Sequence, residues 1–215
     1  MTTENLAHTD STDIRQRRKS RMIFIAIIAF FAVPYFVVPH IFNLDKMGTT
    51  NKGQLIQPHV NIDSLNLKTS SGNTFTSTDT AGQWSLLYFI PQACDQICKN
   101  ALFSMRQVRK SLDKDIDRVR LISVHSHAQT KDLQKLISTE FPLNVQLEGQ
   151  QQQINSAFAN TAISNASEAN QIYILSPDGY IFIHYPVVED VQEAILKARD
   201  IRKDLKKTLK GSLIG

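Results

Sequence analysis

The stretch LLYFIPQACDQIC, residues 86–98, decides the fold of this chain. It opens with an apolar and aromatic run typical of a buried strand, and the residues from Cys94 onward predict the first turn of a helix. Cys94 and Cys98 are the only cysteines, and on one helix face their sulfurs would lie about one turn apart. Such a pair can close a disulfide or bind one metal ion. A helix N-terminus also favours the thiolate, the form that exchanges disulfides.

Strands and helices alternate on both sides of this stretch. The pattern predicts a small hairpin within residues 55–80 and, further on, a hairpin turn at 176–179. The other predicted strands are 84–90, 119–124, 143–147, 171–175 and 180–185, and the predicted helices are 98–112, 131–141, 150–160 and 191–209. This order indicates an α/β domain with a mixed central sheet. Met105 has the helical spacing of a core residue.

The N-terminal part predicts a membrane anchor. Residues 22–42 contain no Asp, Glu, Lys or Arg. This segment is just long enough to span a bilayer as one transmembrane helix. Five basic residues precede this segment, and the positive-inside rule then places the N-terminus in the cytoplasm. They are Arg15, Arg17, Arg18, Lys19 and Arg21. A cleaved signal peptide is the competing interpretation, but its apolar core is usually shorter.

We therefore predict four segments. They are a basic cytoplasmic tail at 1–21, a signal anchor at 22–42, a linker at 43–57 and a folded exported domain at 58–211. The net charge of +4 does not indicate a nucleic-acid partner, because five basic residues belong to the tail and the basic residues near the C-terminus alternate with Asp200, Asp204 and apolar positions. In an oxidising compartment a single cysteine pair is a structural disulfide, a redox site or a metal site. A bridge across four positions closes a small loop and stabilises little, which favours a site.

Two motifs together resemble the Sco/SenC family. They are the pair Cys94 and Cys98 after the first core strand, and YILSPDG at residues 173–179. The resemblance implies a thioredoxin-like fold over about residues 55–210, anchored in the bacterial inner membrane with its domain in the periplasm. It also implies Cu(I) binding by Cys94 and Cys98, and work with a cytochrome c oxidase subunit or other assembly factors.

The chain departs from the family at the third copper ligand. The family has a histidine about five residues before the motif's tyrosine, whereas residues 167–171 here read SEANQ. His125 and His127 are the candidates to replace it, with His184 a weaker one, although each is also explained as an ordinary surface or buried histidine. The sequence resembles more closely a divergent group of oxidase-associated relatives, which share phrases such as MRQVR at 105–109 and the tail at 205–215.

Three functions remain open on this evidence. The first is a membrane-anchored factor in cytochrome c oxidase assembly that handles copper or performs thiol redox steps through Cys94 and Cys98. The second is a metal-free thiol–disulfide oxidoreductase, although a general one would carry a cis-proline before the strand at 171–175, and no proline occurs from 143 to 176. The third is a non-catalytic, membrane-tethered binding module with a structural disulfide.

Overall fold

A computed structural model describes residues 19, 21–33, 51–163 and 165–212. The described residues belong to two compact units, divided between residues 50 and 51. In the first unit residues 21–33 are helical, and nearly all of their side chains are exposed. Within the described residues, no helix has the length and apolar character needed to span a bilayer. Residues 34–42 of the predicted anchor lie outside the described part, so the anchor stays a prediction.

The second unit is built on one mixed sheet of seven strands. Its spatial order is β1-β7-β6-β3-β4-β5-β2. The strands are β1 (Gln54–Asn61), β2 (Lys68–Thr69), β3 (Trp84–Ile90), β4 (Val119–His125), β5 (Asn144–Glu148), β6 (Gln171–Leu175) and β7 (Tyr180–Pro186). Strands β3, β4 and β5 are parallel, and the four remaining pairings are antiparallel. The predicted mixed sheet is confirmed.

Helices cover both faces of this sheet. They are α1 (Ser77–Thr80), α2 (Gln96–Lys110), α3 (Lys131–Glu140), α4 (Gln151–Ala157) and α5 (Val191–Gly211), with 3-10 helices at Ile62–Leu65 and Asp113–Arg118. One apolar cluster joins a face of the sheet to α2, α3 and α5, and it includes Met105, as predicted. A second cluster joins the other face to α4 and the 3-10 helix Ile62–Leu65.

Strand β3 is central because every one of its residues is buried. Alternate side chains enter opposite clusters: Leu86 and Tyr88 face α2, and Leu87 and Phe89 face α4. A strand buried on both faces reads as a continuous apolar run, which explains why residues 84–90 were recognisable in the sequence. The parallel order of β3, β4 and β5 brings their carboxyl ends to one edge of the sheet.

The structure corrects three local predictions. The predicted hairpin within 55–80 is confirmed only around its turn, because the main partner of β1 is β7 and that of β2 is β5, at opposite edges of the sheet. What remains of it is the bridge between Lys68 and Thr74. Strand β1 begins at Gln54, inside the segment predicted as a linker. Helix α2 begins at Gln96, so Cys94 precedes the helix instead of lying on it.

Candidate redox site

A disulfide joins Cys94 and Cys98 where β3 leads into α2, and their Cα atoms are 5.1 Å apart. Asp95, between them, is the N-cap residue of the helix. Its Oδ1 accepts a hydrogen bond from the backbone N–H of Cys98 at 3.0 Å. An aspartate cap of this kind satisfies one of the free N–H groups of the first turn. The cap therefore fixes the backbone on which both sulfurs are carried.

The two cysteines differ in burial. Cys98 is 0% exposed and belongs to the core cluster, while Cys94 is partly buried and packs against the edge of that cluster. A thiol or disulfide of a partner can approach only the accessible sulfur. Cys94 is therefore the more accessible sulfur, and the roles expected from the sequence, Cys94 attacking and Cys98 resolving, stay a prediction.

A buried tyrosine of β3 contacts the segment that precedes β6. The Tyr88 hydroxyl donates a hydrogen bond to Asn170 Oδ1 at 2.9 Å. Burial, and then the negative charges of Asp95 and Glu168, raise the pKa of Tyr88, so the hydroxyl stays a neutral donor. Asn170 has φ 50° and directly precedes β6. Asparagine tolerates this left-handed conformation better than most residues.

A histidine–glutamate pair joins two further segments. His127, two residues after β4, lies with Nε2 3.3 Å from Glu168 Oε1 in the segment before β6. The His127 and Glu168 side chains are 29% and 30% exposed. An exposed pair of this kind stabilises the fold little by itself. The contact does give the His127 ring a partner. That partner, Glu168, lies within residues 167–171, where the family resemblance places a histidine.

Comparison with known proteins identifies the domain. A family model described as transmembrane-like, thioredoxin-like, C-terminal domain matches residues 84–212, more than half of the chain. The chain belongs to this family. A search of the curated proteins gives no significant match.

Solved structures share the thioredoxin-like fold. BsSco, described as a Sco family cytochrome c oxidase assembly protein with a disulfide switch, is 22% identical, with a TM-score of 0.50. The alignment covers 70% of this chain and 94% of BsSco. Yeast Sco1 with copper bound is 16% identical, with a TM-score of 0.52, over 77% of this chain and 97% of that one. The predicted likeness to Sco proteins is confirmed at the level of the fold.

The described residues do not complete a three-ligand copper site. Within them, no group of three or more His, Cys, Asp or Glu side chains is arranged to hold a metal ion. The reduced cysteine pair would offer two soft thiolates, which suit Cu(I). At the position of the family's histidine this chain has Glu168 and Asn170, and both already have partners in His127 and Tyr88.

The other two candidate histidines, His125 and His184, are both buried. His125, at the end of β4, is 5% exposed and lines a cavity of about 550 Å³ between α3 and β5. Burial lowers the pKa of His125 to about 4, partly opposed by a hydrogen bond with Gln146. His184 Nδ1 lies 3.0 Å from Gln171 Oε1, and burial lowers the pKa of His184. Both histidines are buried in the sheet, and their candidacy as copper ligands stays a prediction.

The sequence interpretation missed Tyr88, Asn170 and Glu168. Tyr88 carried a weak signal, since a buried tyrosine needs a partner for its hydroxyl. Asn170 and Glu168 lie in a segment without periodicity, and only the tertiary fold brings that segment to the site. The predicted pair Cys94 and Cys98 needed no such information, because both residues lie within one turn of chain.

Proposed function

We propose that this protein is a membrane-anchored, thioredoxin-fold accessory factor in cytochrome c oxidase assembly, acting by thiol–disulfide exchange through Cys94 and Cys98. One observation carries the proposal: a disulfide at the N-terminus of α2 with one accessible and one buried sulfur. A bridge across four positions contributes little as a staple. The disulfide of BsSco, a protein of the same fold, is described as a switch.

The exchange proceeds in two steps. In the reduced protein, the Cys94 thiolate attacks a disulfide of the partner, forming a mixed disulfide and releasing one partner thiolate. Cys98 then attacks the sulfur of Cys94, which closes the Cys94–Cys98 disulfide and releases the second partner thiolate. The partner gains two electrons and takes its protons from water. An external dithiol returns the protein to the reduced state.

The anchor and location belong to the same proposal. Large apolar side chains along helix 21–33 are exposed, and an exposed apolar helix is suited to a bilayer. The basic residues that precede it favour a cytoplasmic N-terminus. The redox domain would then lie in the periplasm, held at the bacterial inner membrane near a membrane-embedded oxidase.

Copper delivery is the second candidate. It is favoured by the closeness of the two sulfurs, because a reduced pair of thiolates can carry Cu(I) as cargo with two donors. Reduced, anaerobic full-length protein would be titrated with one equivalent of Cu(I) against a competing chelator, with Cys94→Ser/Cys98→Ser as the control. Cysteine-dependent affinity far below micromolar supports copper delivery, and binding no tighter than in the control excludes it.

The redox proposal is tested in cells that lack the gene. Wild-type protein, Cys98→Ser and Cys94→Ser/Cys98→Ser would be expressed at equal levels, and assembled cytochrome c oxidase measured by its haem absorption and oxygen consumption. We expect the amount of assembled oxidase to fall at least tenfold in both variants. We also expect Cys98→Ser to accumulate a mixed disulfide through Cys94. Full assembly with both cysteines replaced would contradict the proposal and leave a structural disulfide in a binding module.

A further inference from the structure

An apolar groove runs along the surface between α2 and α5. Its cavity has a volume of about 480 Å³. Helix α2 contributes a stripe of side chains spaced three and four apart, the spacing of one helix face. The stripe consists of Asn100, Phe103, Ser104, Gln107, Val108 and Ser111.

Helix α5 contributes a stripe with the same spacing. It consists of Val191, Ala194, Ile195, Ala198, Arg199 and Arg202. Each stripe therefore spans twelve residues, an axial length of about 16 Å or three helical turns. Two matched stripes of this length form a groove with the dimensions of one short helix.

Hydrogen bonds show that the two helices are parallel and close the groove at both ends. Near the start of each helix, the Asn100 side chain donates to the carbonyl oxygens of Val188 and Glu189, at 3.0 and 2.7 Å. At the other end, Arg202 Nε donates to the Ser111 carbonyl oxygen at 3.1 Å. The groove is thus a fixed feature of the fold, with both helix N-termini at the end nearer the disulfide.

Exposed apolar side chains concentrate at this groove. Large exposed apolar residues are few in the described part of the folded unit, and Phe103, Val191 and Ile195 line the groove, at 37%, 47% and 36% exposed. Leu196, 56% exposed, follows Ile195. Scattered apolar residues on a surface need no explanation, but a contiguous patch marks an interaction site.

The charges around the groove are polarised. Arg199 and Arg202 lie toward the C-terminal end, and none of the lining residues carries a carboxylate. Glu189, Asp190 and Glu193 lie at the N-terminal end of α5, and of these Glu193 forms an ion pair with Lys197 at 3.6 Å. A partner that fits both ends carries negative charge near the arginines and positive charge near the acidic end. Helices commonly have acidic residues in the first turn and basic residues in the last.

We infer that the groove binds one amphipathic helix of a partner protein, about three turns long, antiparallel to α2 and α5, with its acidic first turn beside Arg199 and Arg202. The antiparallel direction also opposes the dipole of the bound helix to those of α2 and α5. The apolar ridge of the helix would fill the cavity, the usual arrangement of a helix in a groove. This surface is separate from the disulfide chemistry, and its test leaves both cysteines intact.

The test uses a designed probe and the full-length protein in phosphatidylcholine nanodiscs. The probe is a fluorescent 14-residue helical peptide with leucines spaced three and four apart, glutamates in its first turn and lysines in its last. A second peptide exchanges the two charges. Fluorescence anisotropy would measure both dissociation constants, with empty nanodiscs as the blank.

We expect the wild type to bind the first peptide saturably with micromolar affinity, and the second at least tenfold more weakly. In Ile195→Glu and in Arg199→Glu the affinity for the first peptide should fall at least tenfold. Arg199→Glu should also bind the second peptide better than the wild type does. Leu143→Glu and Lys203→Glu are the matched controls, since both residues are exposed and lie outside the groove. Both controls should stay within twofold of the wild type, and circular dichroism would confirm that every variant is folded.

Three results would overturn the inference. One is the absence of saturable binding by the wild type, and another is equal binding by Ile195→Glu and wild type. The third is occupation of the groove by something else: a dimer in sedimentation that Ile195→Glu dissolves, or binding to anionic vesicles that this variant abolishes. Such a dimer would assign the groove to a second copy of the chain. Such vesicle binding would assign it to the lipid surface.

Discussion

Asp95 and Lys99 flank the disulfide with opposite charges, and the structure separates their effects. The Asp95 carboxylate faces the site, since it caps the Cys98 N–H and contributes to the raised pKa of Tyr88. Asp95 and Lys99 are both exposed residues, and the N-cap hydrogen bond holds the Asp95 carboxylate at the turn that carries the sulfurs. A negative charge beside the sulfurs disfavours the thiolate of the reduced state. We therefore expect Asp95 to outweigh Lys99 in setting the redox equilibrium.

Replacing Asp95 by Asn tests this balance, because asparagine keeps the N-cap and removes only the charge. We expect the Asp95→Asn reduction potential to rise by about 20 mV, equivalent to about 1 kcal/mol, measured by equilibration with glutathione. Lys99→Gln is the matched control and should shift the potential less, in the opposite direction. A fall in the Asp95→Asn potential would contradict the assignment.

For single residues, the sequence predicts which site residues lie together only when they are close along the chain. Cys94 and Cys98 lie within one turn of backbone, so their spacing was enough to predict a site. His127 was predicted as a candidate ligand from its place after a strand. Its contact with Glu168 joins residues 41 positions apart, and no local pattern contains that information.

The redox helix is linked to the segment before α5 through one side chain. Asn100 is 5% exposed, donates to two carbonyl oxygens of that segment and accepts from Gln96 Nε2 at 2.9 Å. Its two donated bonds hold α2 against the segment that leads into α5. Asn100 therefore connects the element that carries the cysteines with the element that forms the other wall of the groove.

Removing this link should destabilise the domain. In Asn100→Ala two carbonyl oxygens lose the donor of a partly buried hydrogen bond, which together typically costs about 1–3 kcal/mol. We expect a loss of that size in the free energy of unfolding of the oxidised protein, measured by urea denaturation. Gln107→Ala, at an exposed position of the same helix, should change stability by less than about 0.5 kcal/mol. Equal losses in the two variants would show that the link is not structural.

Elements were predictable where one strand or helix carries its own periodicity. Strand β3 and helix α5 are examples, since a continuous apolar run and a three-four spacing do not depend on their neighbours. The pairing of β1 and β2 was not predictable in this way. Both are edge strands, and β1 pairs with β7, far away in sequence, instead of with the adjacent strand.

Across the whole molecule, the C-terminal helix holds the beginning of the folded unit. Asp204 of α5 is 1% exposed, and its Oδ2 accepts from the backbone N–H groups of Lys52 and Gly53 and from the Tyr185 hydroxyl, at 2.6, 2.9 and 3.0 Å. Gly53 has no space for a side chain, because an added Cβ would lie 2.5 Å from the Tyr185 ring. The two ends of the domain are therefore joined across the sheet.

Buried histidines make the stability of this molecule depend on pH. Burial lowers the pKa of His125 to about 4 from its usual 6.5, and it lowers the pKa of His184 as well. Between pH 6.5 and 4 the unfolded chain therefore binds protons that the folded one does not, so stability is complete above pH 6.5 and falls as the pH falls. From His125 alone we expect a loss of about 2 kcal/mol at pH 5.

Urea denaturation of the wild type at pH 7.5, 6 and 5 measures this loss, and His125→Gln serves as the control because glutamine does not titrate. The variant will be less stable at every pH if the ring contributes packing, so the decisive quantity is the slope. We expect the slope with pH to be clearly smaller in His125→Gln, with His184 accounting for part of the remainder. An unchanged slope would show that groups other than His125 govern the acid sensitivity of the fold.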